Sequence, residues 1–133
     1  MIYLLFIFNQ WMNFALRAVM AAIFLTHGWP KLKNLKATAD SFTAMGFRPG
    51  KFWGTLVALM ETIGGALLLF GAFTQIVAIV FAIEMIVTII WKMRRGQKLV
   101  GGYELDLVLL AALSILATSG GGVLGLDNSF RIW

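Results

Sequence analysis

At 133 residues the chain is a single domain, and a composition that is 60% hydrophobic and 13% charged excludes a water-soluble fold, which could not hide so much apolar surface. The net charge of +5 does not point to nucleic acid, because Lys and Arg flank long apolar runs and form no stripe with interleaved aromatics. With no cysteine and His27 as the one histidine, disulfides, thiolate metal sites, iron–sulfur clusters, thiol chemistry of its own and bis-histidine haem ligation within one chain are excluded, and no metal site is expected.

The opening apolar run, Ile2 to Trp29, lacks the basic start and small-residue cleavage site of a secretory signal, and Arg17 interrupts what would be the signal core. It reads as a retained span. Asn9, Gln10 and Asn13 divide the run, so the span is placed from about Trp11 to Gly28, with Tyr3 to Phe8 either extending the helix or lying in the interface. Pro30 is expected to end the helix near His27-Gly28. From Lys31 to Met45, Leu32, Leu35, Phe42 and Met45 fall near one helical face and the charged residues elsewhere, which suits a short amphipathic helix on the membrane surface; a solvated loop is the alternative. Gly46 would end that helix, and Phe47-Arg48-Pro49-Gly50 is a turn back into the bilayer.

A second span runs from about Phe52 to Gly71, a tight uncharged turn follows at Ala72 to Gln75, and a third span covers about Ile76 to Trp91. After the cluster Lys92, Arg94, Arg95 and Lys98, a fourth span runs from about Tyr103 to Ser119 and ends in a glycine-rich outlet before Leu126-Asp127-Asn128. The expected architecture is therefore all-α. It is a membrane-embedded four-helix bundle over residues 1–133, with spans at about 11–28, 52–71, 76–91 and 103–119 and an interfacial helix between the first two. The Lys/Arg bias is one-sided: the links after spans one and three are basic, and the other side offers only Arg131 outside the bilayer. By the positive-inside rule the basic links face the cytoplasm and both termini face outward, with Trp29, Trp53 and Trp91 in the inner aromatic belt and Trp11 in the outer one. The two halves show no residue-level match that would support an internal repeat.

Charge inside an apolar run is costly unless paired, so Glu61 in the second span asks for a partner. Counting from the inner boundary places Glu61 roughly 12 to 15 Å deep, with Glu84 and Arg17 at similar levels. One cation and two carboxylates would then share a layer that could carry a proton, or form a structural ion pair that fixes helix register. A second layer at the boundary gathers His27 and Lys31 with Glu104 and Asp106; Glu104 is taken as the pocket-facing acid beside His27, and the helix macrodipole is the plainer explanation for Asp106. Gly64, Gly65 and Gly71 share a face or its edge with Glu61, so they either bring a neighbouring helix close or leave room for a ligand.

Arg17 with Phe24, His27-Gly28 and Lys31; Gly46; Glu61, Gly64, Gly65, Leu68 and Gly71; Glu84; Gly102-Tyr103-Glu104-Leu105; and the closing glycine run with Asp127 together resemble the DoxX family of small four-span bacterial membrane proteins. The usual closing motif often has a proline among the glycines, and Gly120-Gly121-Gly122 has none. The resemblance implies a bacterial cytoplasmic membrane protein. Relatives include the membrane subunit of a thiosulfate:quinone oxidoreductase and proteins linked to thiol and oxidative-stress systems. With no intrinsic cofactor and no catalytic residue identified, electron transfer would need a quinone among the spans or a cofactor on a partner subunit.

The leading expectation is a membrane subunit or accessory of a redox system with a polar intramembrane pocket for a quinone-like ligand, using Arg17, Glu61 and Glu84 as the buried relay and His27, Lys31 and Glu104 at the mouth. A non-catalytic solute or lipid binder or transporter, and a structural partner subunit, stand as alternatives, and whether the chain is an enzyme stays open. The expected partners are the lipid bilayer, a redox subunit or a further copy of the chain.

Overall fold

In the computed structural model residues 2–130 are described; Met1 and residues 131–133, including Arg131 counted above on the outer side, lie outside the described residues. A 3₁₀ segment, Ile2–Phe8, leads into α1 (Asn9–Lys33), which is followed by α2 (Leu35–Ala44), α3 (Gly50–Phe70), α4 (Thr74–Arg94), α5 (Glu104–Ser119) and a short α6 (Leu126–Phe130). No strand occurs among the described residues. Gly50–Phe70, Thr74–Arg94 and the segment Leu99–Ser119 are long and apolar enough to cross a membrane. α1 is longer, at 25 residues, but carries Asn9, Gln10, Asn13, Arg17, His27, Lys31 and Lys33.

The long helices associate as two pairs, α1 along α3 and α4 along α5, with α2 laid against the start of α3. The α1–α3 contact is antiparallel and close because glycine removes side chain where the backbones meet. A Cβ on Gly28 would come within 2.7 Å of the Thr62 nitrogen, and one on Gly65 within 2.9 Å of Leu25 Cγ. On α3, Gly54, Ala58, Glu61, Gly65 and Leu68 form the buried stripe, spaced four, three, four and three as a helical face requires. The two pairs meet in a core that includes Met20, Phe24, Leu68, Phe81, Leu113 and Leu116. At its centre Phe24 and Phe81 stack with ring centroids 3.7 Å apart and planes 9° from parallel.

One boundary differs from the sequence expectation in a way that matters. α1 does not stop at His27-Gly28 but continues through Pro30 to Lys33. A proline in the last turn forfeits one backbone bond without breaking the helix below it. The carbonyls at the joint find other donors: Asn34 N–H donates to Pro30 O at 3.3 Å, and the Thr38 hydroxyl lies 3.0 Å from Lys31 O and 2.9 Å from Asn34 O. Asn34 then caps α2, its side chain accepting from Ala37 N–H at 3.1 Å.

α2 occupies the stretch expected to be amphipathic. It is buried at Thr38, which seats on Gly54, while Leu35, expected on its apolar face, is exposed. Gly50, read as a turn residue, is the first residue of α3 and lies directly under Ala39 and Thr43. The far end of α2 is tied to α4, because the Trp91 indole donates to Met45 O at 2.9 Å and Arg95 donates to the same oxygen at 3.2 Å.

Candidate functional site

Between the two helix pairs, at the Lys-rich end of the bundle, lies a cavity of about 900 Å³. α1, α2, α3, α4 and α5 all contribute to its wall, which is mostly apolar and includes Phe24, Met60, Trp91 and Leu109. Among these stand a few charged groups. The Lys31 ammonium bonds both oxygens of Glu61, at 2.8 and 2.6 Å, and Glu61 itself is 4% exposed. Glu84 of α4 lines the same cavity, and its Oε2 is enclosed without a hydrogen-bond partner among the described residues. On the opposite wall the Lys92 ammonium meets Asp106 at 2.6 Å.

The cluster therefore differs from the expected one. Arg17 does not reach Glu61. It is fully buried at the other end of the bundle, donating to Leu68 O at 3.0 Å, Leu69 O at 3.3 Å and Asn13 Oδ1 at 3.4 Å. The continuation of α1 past Pro30 explains the displacement. Glu61 lies against Gly28, and Arg17 is eleven residues further along α1, about 16 Å on the helical rise. Lys31, expected at the mouth, lies one turn beyond Gly28 on the same face and takes the place assigned to Arg17.

The boundary layer is also rearranged. Glu104 is exposed and accepts from Gly101 N–H at 3.2 Å, closing the turn before α5. Asp106 is the acid that faces the cavity. Its phase explains this, because Asp106, Leu109, Leu113 and Leu116 follow one another at three, four and three residues along the buried stripe of α5, and Glu104 falls outside it. His27 reaches the cavity wall from an exposed position.

The glycines divide their work among neighbours. Gly64 faces Phe81 and Val77 of α4, Gly65 faces Leu25 of α1, and Gly71 faces Arg17 and Gly125. Gly71 ends α3 in the left-handed region at φ 67°, with Ala72 N–H bonded to Leu67 O at 2.9 Å and Gly71 N–H to Leu68 O at 3.1 Å; the Arg17 guanidinium is a second donor to Leu68 O and also donates to Leu69 O. A cation at the C-terminus of a helix also meets the negative end of its dipole. Asp127, from the glycine-rich tail, completes this end: its carboxylate accepts from Phe73 N–H at 2.6 Å and Thr74 N–H at 2.9 Å, the donors left open where α4 begins.

A family profile named DoxX matches residues 12–94, which run from the first turn of α1 to the last residue of α4 and include Lys31, Glu61 and Glu84. The chain belongs to the DoxX family. It is also 34% identical over 112 residues to a Bacillus subtilis (strain 168) protein named "Putative oxidoreductase CatD", an alignment covering 84% of this chain and 81% of that one. No solved structure matches the chain.

Three features of this DoxX protein were absent from the sequence reading. Lys92 stood in the basic cluster after the third span and here faces Asp106 in the cavity. Asp127 stood beside a flexible outlet and here docks a short helix onto the α3–α4 turn. The third is a similarity of placement between the two helix pairs. In each, a lysine near the end of the first helix, Lys31 or Lys92, holds an acid on the second, Glu61 or Asp106.

Proposed function

We propose that this protein is a four-span membrane subunit or accessory of a redox system, and that its cavity takes the head group of a quinone-like ligand. The observation that carries this reading is the cluster of Lys31, Glu61 and Glu84 on the wall of an apolar cavity large enough for a small organic ligand. The donor set suits a ring bearing carbonyl oxygens. Lys31 spends two of its three N–H donors on Glu61 and has the third to offer to an acceptor oxygen. Glu84 presents an enclosed carboxyl oxygen with no hydrogen-bond partner among the described residues, and Phe24 and Trp91 supply flat apolar wall. A bound quinone would supply two-electron, two-proton chemistry. The chain would orient the ring with Lys31, hold or release a proton at the Glu84 carboxyl, and exclude bulk water with the aromatic wall. The name of the Bacillus subtilis relative agrees with a redox role.

In this reading α1 is the fourth span. Its length of 25 residues corresponds to about 37 Å. Its one buried cation, Arg17, donates to backbone carbonyls inside the bundle, and Trp11, Met12, Phe14 and Val19 face outward. The basic links would lie in the cytoplasm and both termini outside, in a bacterial cytoplasmic membrane, because Lys and Arg gather at the cavity end.

The test is direct. Protein purified in mild detergent is extracted for co-purifying quinone and titrated with a short-tailed benzoquinone while tryptophan fluorescence is followed, since Trp53 and Trp91 line the cavity. Saturable quenching that Lys31→Ala and Glu84→Gln each weaken at least tenfold is the expected result. No retained quinone, together with quenching unaffected by either substitution, would overturn the reading.

A further inference from the structure

α3 and α4 are joined by a short turn, and consecutive helices with such a connection ordinarily pack along their length. Here they touch little, far less than α1 with α3 or α4 with α5. Their point of approach is Gly64, where the absence of a side chain admits Phe81. Beside that contact the helices leave a groove of about 270 Å³, lined by Leu59, Ile63, Ile76 and Val77 among others and almost devoid of polar surface. Ile63 and Ile76 are 56% and 47% exposed, so the groove opens on the outside of the bundle. Leu56, Met60 and Val80 line both this groove and the main cavity. The two spaces are therefore neighbours across one shared wall, with the charged cluster on its inner side and the apolar exterior beyond the groove.

We propose that the α3–α4 groove is a lateral portal through which the ligand enters from the bilayer, and that the ligand is an amphiphile whose apolar tail lies in this groove while its head group stands at Lys31 and Glu84. This rests on the reading of the cavity as a quinone-type head-group site and adds to it the class of ligand, one that carries a tail, and its route. The polarity of the two spaces is what selects such a molecule. A head with hydrogen-bonding oxygens suits the cavity, but nothing polar would be satisfied between Leu59 and Ile76. From Leu56 to Gly64 the groove follows α3 for about 12 Å, a length suited to a short run of methylene or isoprene units.

A tail that passes from lipid to an apolar groove leaves one hydrocarbon medium for another, so affinity rises little with tail length; location is the informative readout. Two photoreactive benzoquinone analogues serve, one with a diazirine on the ring and one with it midway along a ten-carbon tail. Each is irradiated with the full-length protein in phosphatidylcholine vesicles, and the adducts are mapped by mass spectrometry. Ring adducts on cavity residues and tail adducts on residues 56–64 and 76–81, both reduced several-fold by excess unlabelled tailed quinone, are the expected result. Ile63→Trp, at an exposed position the fold tolerates, should cut tail labelling in the groove several-fold and leave ring labelling unchanged. Ring adducts in the cavity with tail adducts near α2 and the Lys-rich mouth would overturn the portal while sparing the head-group site. Tail adducts scattered over all outward faces and insensitive to competitor would mean bulk lipid only, and would also overturn it. No competed adduct from either probe would overturn the head-group site, and the portal with it.

Discussion

The two ends of the bundle handle buried charge in opposite ways. At the end formed by the α3–α4 turn, Arg17 and Asp127 are spent on backbone: Arg17 on the last carbonyls of α3, Asp127 on the first N–H groups of α4. Asn13 adds a bond to Ser119 Oγ at 2.9 Å and another to Gly120 O at 3.3 Å, and Gln10 accepts from Val123 N–H at 3.0 Å. Charge there replaces the water that helix ends would otherwise need, and the glycines let the chain close over it. At the other end the charges are spent chiefly on one another, Lys31 on Glu61 and Lys92 on Asp106 with a longer bond to Gly102 O at 3.4 Å, around open volume and with one carboxyl oxygen of Glu84 unclaimed among the described residues. A group bonded to backbone has little freedom to exchange partners. A side-chain pair beside a cavity can give one bond to a ligand and keep the rest. The contrast suits a structural role for the first end and the proposed binding role for the second.

The most severe test of that contrast is Arg17→Ala, which takes one of two donors from Leu68 O and the guanidinium from Leu69 O and should cost about 3 kcal/mol or more, seen as loss of folded protein from the membrane and a lowered Tm in detergent. Exchanging the two charges, Arg17→Glu with Glu61→Arg, should not restore the protein, because the two residues lie at different levels; recovery would contradict the register. Gly28→Ala should come next, at about 1 to 3 kcal/mol, because its Cβ meets the α3 backbone and not a movable side-chain tip. Asp127→Ala should cost about 1 to 2 kcal/mol and raise hydrogen exchange at Phe73 and Thr74. At the cavity end the order reverses. Paired replacement, Lys31→Met with Glu61→Leu, should leave the thermal midpoint within a few degrees of the wild type, while binding of the quinone probe falls at least tenfold; a collapse in stability would erase the contrast. Glu104→Gln should change stability by less than about 0.5 kcal/mol and leave binding untouched, since Glu104 closes only an exposed turn.

Much of this was written in residue order. The apolar runs, the breaks at Gly46 and Gly71 and the basic links place the helices to within a few residues except at the end of α1, because span length and turn chemistry are local properties. The phase of Asp106 with Leu109, Leu113 and Leu116 was legible too. A count along α5 would have chosen it over Glu104 as the cavity acid. Lys31 is in phase with Arg17, Phe24 and Gly28, and only the assumption that Pro30 ends the helix concealed this. Asp127 could not have been placed by counting, since it works on donors more than fifty residues away.

Sequence alone determined that this chain is an all-α membrane protein whose polar interior rests on a few side chains, because the cost of charge in hydrocarbon leaves so few places for them. Which charges meet was decided by tertiary structure. Pairing depends on the register of α1 against α3, and that register follows from where Gly28 and Gly65 let two backbones come close, a distance that spacing along one chain does not contain. The same contacts carry Arg17 to the closed end and Lys31 to Glu61. The sparse packing of α3 on α4 leaves the groove beside the cavity, and it too is a property of helices meeting, not of either helix alone.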